Sequence, residues 1–260
     1  MSLILKENKN NILTITLNRP EKYNSFTEPM ALELQDALQS AESDDVRCVL
    51  LNAAGKAFCG GQDLPEVIER EKDTTYTLSD TVNTSYNPII KLIRELKKPV
   101  VCSVQGTAAG AGANIAFACD IVIASKEALF VQAFSKIGLI PDSGGTWFLP
   151  RLVGFARTNA LYMLDDKITA DQAVELGLIY KSVESNQLTN EVAKVTSQLA
   201  SMPTKGFALY KEAINKSFTN NLEQQLQLEA TLQSKAGKSD DYKEGVTAFL
   251  EKRRAEFKGR

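Results

Sequence analysis

A single carboxylate, Asp142, sits in the turn Gly138-Leu139-Ile140-Pro141-Asp142-Ser143-Gly144-Gly145-Thr146, downstream of two glycine-rich loops. The loops are Phe58-Cys59-Gly60-Gly61-Gln62-Asp63-Leu64 and Gly106-Thr107-Ala108-Ala109-Gly110-Ala111-Gly112-Ala113-Asn114. Glycine permits tight turns and close backbone approach, so exposed N–H groups of such loops can converge on one ligand atom. Two such loops and one carboxylate would make an oxyanion site with a proton carrier. The chain has no histidine. Acid–base chemistry therefore falls to a carboxylate, Lys, Tyr or Cys, and Ser–His and Cys–His nucleophile pairs are excluded. The apolar neighbours Phe134, Ile137, Leu139, Ile140, Trp147 and Phe148 would disfavour ionisation of Asp142 and raise its pKa.

Each of these residues also has a plainer reading. Pro-Asp-Ser-Gly is good turn chemistry, and Asp142 could cap a helix over Gly144–Pro150. The glycines could serve close helix packing. Lys56 by itself is a surface lysine, and Trp147 by itself is core. Gly110-Ala111-Gly112 is no dinucleotide fingerprint, because Ile115 stands where the third glycine would be needed.

The elements that would hold these residues are legible from periodicity. Alternation of Ile12, Thr14 and Thr16 against Leu13, Ile15 and Leu17 predicts a strand after a turn at Asn8–Asn11. Thr27 reads as the N-cap of a helix to about Ser40, with Glu28 and Pro29 in its first turn. Val46–Leu51, Val100–Val104 and Ile121–Ala124 are short continuous apolar runs, the pattern of strands covered on both faces. Gly110–Cys119 reads as a helix opening at a glycine turn, and Thr169 caps Ala170–Leu176 before Gly177 ends that helix. The succession predicts an α/β fold with largely parallel strands. From Asn186 the pattern is amphipathic helix with breaks at Pro203, Asn220–Asn221 and Ser239–Asp240. Residues 1–200 are expected to form the core domain and 201–260 a helical C-terminal region. The stretch Glu66–Tyr86, rich in Glu, Thr and Asp, reads as a mobile segment.

Charge and composition narrow the function. With 30 basic and 32 acidic residues, net charge is −2, which offers no bulk attraction for nucleic acid or anionic membrane. The basic tail Glu251–Arg260 can be a solvated helix end, a helix-dipole effect or a phosphate contact. Cys48, Cys59, Cys102 and Cys119 form no CxxC pair and fit buried thiols in a reducing compartment. No signal-peptide pattern opens the chain, and Val100–Ala124 is too interrupted by polar residues and glycines to span a membrane. A cytoplasmic protein is expected.

Five segments in order resemble the crotonase superfamily of acyl-CoA enzymes over nearly the whole chain. They are Leu17-Asn18-Arg19-Pro20, Ala57–Leu64, Pro99–Asp120, Ile140–Thr146 and Gly245–Lys252. Within it, the runs Ala108–Ala113, Ala133–Lys136 and Gly138–Asp142, with Gly144–Trp147, look most like the ring-epoxide isomerases of phenylacetate degradation. The resemblance implies a crotonase-like spiral of strand–strand–helix units whose helical C-terminus builds trimers, often paired into hexamers. It implies an oxyanion hole made by the N–H groups of Gln62 and Ala111. Adenine would lie against the backbone of Gly60, Gln62 and Leu64, Lys56 near a CoA phosphate, and Phe249 and Lys252 would reach CoA from the tail. No metal and no cofactor beyond the CoA of the substrate is implied.

The departures from the family bear on the reaction. Enoyl-CoA hydratases place two glutamates where this chain has Asn114 and Phe134. Asn cannot change protonation state and Phe has no polar atom, whereas one carboxylate can lift a proton from one carbon and return it to another. The expected activity is thus acyl-CoA isomerisation with Asp142 as acid/base, in a pocket lined by Asn114, Phe134, Leu139 and Trp147. Alternatives are an enoyl-CoA hydratase using other groups, a non-catalytic acyl-CoA-binding protein, and an RNA-binding relative, which the charge balance disfavours.

Overall fold

Ile4–Lys9 (β1) and Ile12–Leu17 (β2) form an antiparallel hairpin whose turn places Asn10 and Asn11 in the left-handed region. Leu13, Ile15 and Leu17 are buried and their alternates half-buried, as the sequence alternation requires. The computed structural model describes residues 2–260. The chain continues through Glu28–Ser40 (α1), Cys48–Ala53 (β3), Leu64–Arg70 (α2), Leu78–Thr81 (α3) and Asn87–Glu95 (α4). Val100–Val104 (β4), Ala108–Ala109 (β5), Ala111–Ala118 (α5), Ile121–Ser125 (β6) and Leu129–Val131 (β7) follow. Then come Gly145–Met163 (α6), Ile168–Thr169 (β8), Ala170–Glu175 (α7) and Lys181–Val183 (β9). The last four helices are Leu188–Ser201 (α8), Thr204–Ser217 (α9), Leu222–Ala236 (α10) and Asp240–Glu251 (α11).

The large sheet has the order β1-β2-β3-β4-β6-β9, parallel from β2 onward. A smaller sheet has the order β5-β7-β8, and isolated bridges Cys59–Ala108 and Phe26–Gln62 extend its line. Successive units thus place one strand in the large sheet, the next segment in the small one, and then turn into a helix. This is the α/β spiral expected from the sequence. One face of the large sheet packs under α1, α4 and α5 through Leu34, Leu38, Leu51, Ile89, Ile93 and Ile115. The other face is covered by α8, where Val101 and Ile123 meet Val192 and Ala200. Cover on both faces explains why β3, β4 and β6 are continuously apolar.

Four expectations change. The turn read over Asn8–Asn11 narrows to Asn10–Asn11, because Asn8 and Lys9 pair with Leu13 and Ile12 in β1. The third strand begins at Cys48 and ends at Ala53, not Val46–Leu51, because Val46 N–H closes a turn onto Ser43 O at 3.0 Å. Helix α6 runs far beyond Pro150, to Met163, and changes direction at Gly154 (φ 78°, ψ 165°). The segment read as mobile is folded. It forms α2, N-capped by Asp63, then α3 with a Thr77/Asp80 capping box, then a π-helical turn over Val82–Tyr86.

The C-terminal helices dock through a buried ionic joint. Lys211 Nζ on α9 donates to Ile93 O (3.1 Å), Lys98 O (2.9 Å) and Asp120 Oδ2 (2.7 Å). Arg94 on α4 joins Asp120 at 3.3 Å and Asn215 Oδ1 at 2.6 Å. Farther on, Asp241 of α11 accepts from the N–H groups of Lys258 and Gly259, and Arg47 Nη1 donates to Phe257 O at 2.9 Å. The tail is thereby tied to the end of the sheet where β3 begins.

Candidate active site

The two glycine loops lie in contact, and the contact needs glycine. A Cβ on Gly112 would come within 2.5 Å of Cys59 Cβ, and one on Gly61 within 3.1 Å of Ala109 O. Gly61 (φ 92°) and Gly110 (φ 52°) both adopt backbone that side chains rarely take. Gly110 is the N-cap of α5, so the Ala111 N–H heads the helix and has no intrahelical acceptor. Among the described residues neither it nor the Gln62 N–H donates to any acceptor. Two unspent amides on adjoining loops, one at the positive end of a helix, are suited to developing negative charge on one oxygen.

Asp142 is joined to the same helix. Asn114 Nδ2, one turn along α5 from Ala111, donates to Asp142 O at 2.9 Å, and Gly145 N–H donates to the same carbonyl at 2.8 Å. Gln132 Nε2 holds Asn114 Oδ1 at 3.2 Å. The turn then passes through left-handed Ser143 (φ 51°) and Gly144 (φ 76°) into α6. Gly144 is the N-cap, with no side-chain cap bond, so the carboxylate is not used to start the helix. It accepts only from Ser143 Oγ (2.9 Å) among the side chains. Burial pushes its pKa up, partly offset by that hydroxyl.

Phe134 and Leu139 flank this centre. The Phe134 ring lies 3.7 Å from where a Gly110 Cβ would stand, and Leu139 N–H donates to Phe134 O at 3.0 Å. Asp165 holds the Phe134 turn by accepting from Ala133 N–H (2.6 Å) and pairing with Lys136 (2.9 Å). Trp147 lies elsewhere. It packs on Phe148 and Phe218, with the Arg151 guanidinium 3.5 Å from its ring centre, in a cavity of about 760 Å³ shared with Ile90 and Gly144. Asp142, Gln62 and Ala111 do not line that cavity, which opens behind the turn. It is large enough for a ligand, but it lacks the two unspent amides and the desolvated acid.

Lys56, Gly60 and Leu64 belong to the exposed rim of the first loop. Lys56 Nζ stands 5.1 Å from the centre of the Tyr23 ring, and Gly60 N–H donates to Tyr23 O at 2.8 Å. Leu64 opens α2 behind Asp63, whose other oxygen meets Arg19 Nη1 at 2.6 Å. Phe249 is exposed on the last turn of α11, and Lys252 caps that helix in the left-handed region. Arg254 and Phe257 lie beside Asn10, Asn11 and Arg47, where β2 and β3 begin, whereas Lys56 follows the other end of β3. The strand separates the two ends by roughly 17 Å.

Residues 7–260 match the family model described as enoyl-CoA hydratase/isomerase. The chain belongs to that family. It is 47% identical to the 1,2-epoxyphenylacetyl-CoA isomerase of Escherichia coli (strain K12), over the whole of both chains. It is 38% identical to the trans-2-decenoyl-acyl-carrier-protein isomerase of Streptococcus mutans, covering 99% of this chain and 98% of that one. A crystal structure of an enoyl-CoA hydratase from Polaromonas sp. JS666 superposes with TM-score 0.90 at 31% identity, covering 98% and 99% of the two chains. This member of the hydratase/isomerase family is therefore an enzyme of crotonase type, with both isomerases and hydratases among its relatives.

Three residues of this centre escaped the sequence reading. Gln132 and Ser143 support Asn114 and Asp142. Tyr86, only 1% exposed, donates its hydroxyl to Gln62 Oε1. Tyr86 lies in the segment read as mobile, and no local pattern announces a π-helical turn. Among the described residues no group of three or more His, Cys, Asp or Glu could hold a metal ion, and no helix is long and apolar enough to cross a membrane.

Proposed function

We propose that this enzyme is an acyl-CoA isomerase in which Asp142 moves the proton. The observation that carries the reading is a half-buried, desolvated carboxylate, spared from capping, tied through Asn114 to the helix that carries one of two unspent amides and lacking a second acid at the positions of Asn114 and Phe134. The thioester oxygen would accept from the N–H groups of Gln62 and Ala111. A donor of this kind contributes about 2.7–4 kcal/mol, or roughly 10²–10³ in rate. The Asp142 carboxylate takes a proton from C2 of a 3-enoyl-CoA, the C–H electron pair enters the dienolate, and the same proton is returned at C4. The double bond is then conjugated with the thioester. With a ring-1,2-epoxyphenylacetyl-CoA, the same polarisation assists opening of the epoxide to the seven-membered oxepin.

Lys56 would face a CoA phosphate, with adenine against Gly60, Gln62 and Leu64. The acyl group would rest against Phe134 and Leu139. Phe249 and Lys252 would reach CoA from a neighbouring copy in a homotrimer or hexamer. A hydratase reading is disfavoured by Asn114, whose amide is already committed to Asp142 O and Gln132. The test is Asp142→Asn assayed on 3-enoyl-CoA and epoxyphenylacetyl-CoA esters. The expected loss in kcat is about 10²–10⁴, with retained ester binding. Near-normal turnover in the folded variant removes Asp142 from the mechanism, and strong hydration of crotonyl-CoA by the wild type defeats the isomerase reading.

A further inference from the structure

The amide that Gln62 offers is held by an arrangement the proposed mechanism does not yet use. Phe26 N–H donates to Gly61 O at 2.7 Å and Asp63 N–H donates to Phe26 O at 2.9 Å, so the peptide groups on both sides of Gln62 are fastened to Phe26. The Gln62 side chain is fastened too. Its Nε2 donates to Phe26 O (3.1 Å) and, more weakly, to Glu66 Oε2 (3.4 Å), while its Oε1 accepts from the Tyr86 hydroxyl. The Gln62 N–H itself donates to no acceptor among the described residues.

Tyr86 reaches Gln62 from the last position of the Val82–Tyr86 π-helical turn. Such single-turn π segments are rare and are frequent at functional sites. The ring alone does not require a tyrosine. It packs edge-on against Phe26 (centroids 6.0 Å, planes 84°), a contact that phenylalanine would make equally well. What tyrosine adds is the hydroxyl. Burial and the nearby Asp142 charge push its pKa well above the usual value, so it remains a protonated donor at working pH.

Building on the oxyanion role proposed above for Gln62, we propose that Tyr86 and the Gln62 side chain are a positioning pair that fixes the direction of the Gln62 N–H toward the thioester oxygen. Neither group exchanges a proton with substrate. A misplacement of about 1 Å in such a site can cost 10²-fold in rate, so a single hydroxyl is enough to matter.

The experiment uses Tyr86→Phe and, as a second variant that keeps the backbone N–H, Gln62→Ala. Isomerase kinetics are read together with the absorption red-shift of a bound chromophoric arylacryloyl-CoA, which reports polarisation of the thioester carbonyl. The expected result is a fall in kcat of about 10- to 100-fold in both variants, with KM changed less than about twofold and a smaller red-shift. Asp142→Asn should keep the full red-shift while losing turnover, which separates failure of the base from failure of the amide. Wild-type kcat and an undiminished red-shift in both variants overturn the positioning pair alone. Absence of any red-shift in the wild type overturns the oxyanion reading and this pair with it.

Discussion

Asp142 could have been a capping residue, and the geometry separates the two uses of its atoms. Its carbonyl takes the structural work, accepting from Asn114 and Gly145, while the carboxyl group keeps one side-chain partner, Ser143. Two consequences can be measured. Since burial holds the Asp142 proton to higher pH, a base mechanism requires kcat/KM to rise with pH through an apparent pKa above the usual carboxylate value of about 3.9. A pH–rate profile with no such acid limb speaks against Asp142 as the base. For stability the sign is opposite to that of an ion-paired aspartate. The raised folded pKa favours folding below the unfolded value and weakens it as pH rises through the folded one. Asp142→Asn should therefore melt no lower than wild type at neutral pH, with the difference shrinking near pH 3, as thermal scans will show.

Asn114 is a related case. Replacing it with Ala removes the donor to Asp142 O and leaves Gln132 without its partner. The expected cost is about 1–3 kcal/mol in urea unfolding, with a fall in kcat as the turn loosens. Unchanged stability and kcat in Asn114→Ala would show that the turn holds its shape without this clamp.

The joint between α4 and α9 decides how the helical region meets the sheet. Lys211 is 6% exposed and Asp120 18%, so their pair lies mostly out of water, and burial lowers the Lys211 pKa against the raising effect of Asp120. Removing Lys211 leaves Asp120 with Arg94 as its remaining cation but takes the donor from the Ile93 and Lys98 carbonyls. Lys211→Met is expected to cost about 1–3 kcal/mol in denaturant unfolding, with amide exchange accelerating first in α9 and α10. Replacing Lys211 and Asp120 together by apolar residues should recover part of that loss. A cost under about 1 kcal/mol for Lys211→Met would mean that packing of α9, not the ionic joint, secures the helices.

Large apolar side chains on the outside bear on the proposed assembly. Phe155 (78% exposed) and Met163 (67%) lie on α6 beyond its Gly154 break, Leu164 (67%) caps its end, and Phe249 (83%) and Leu250 (74%) stand on α11. Faces of this kind mark association surfaces. The proposed trimer or hexamer would cover them and deliver Phe249 and Lys252 to a neighbour's CoA rim. Phe155→Asp is expected to lower the mass in sedimentation from trimer or hexamer to monomer and to raise KM for the CoA ester. A wild-type chain that sediments as a monomer with full ester affinity disposes of the assembly.

Periodicity and glycine chemistry sufficed for the strands Ile12–Leu17 and Val100–Val104, for Ile121–Ser125 read as ending at Ala124, for α1 and α7 with their threonine caps, and for the breaks at Pro203, Asn220–Asn221 and Ser239. These are local or nearly local effects, since a strand's apolar run and a cap's side chain act within a few residues. The two glycine loops and the Asp142 turn were legible for the same reason. Which groups meet could not be read locally. The commitment of Asn114 to Asp142 O, the fastening of Gln62 by Tyr86, and the seat of Phe257 against Arg47 arise where segments 24 to 210 residues apart are packed together. Such contacts depend on the register of the two sheets and on a π-helical turn that propensity does not encode, so only the tertiary structure decides them.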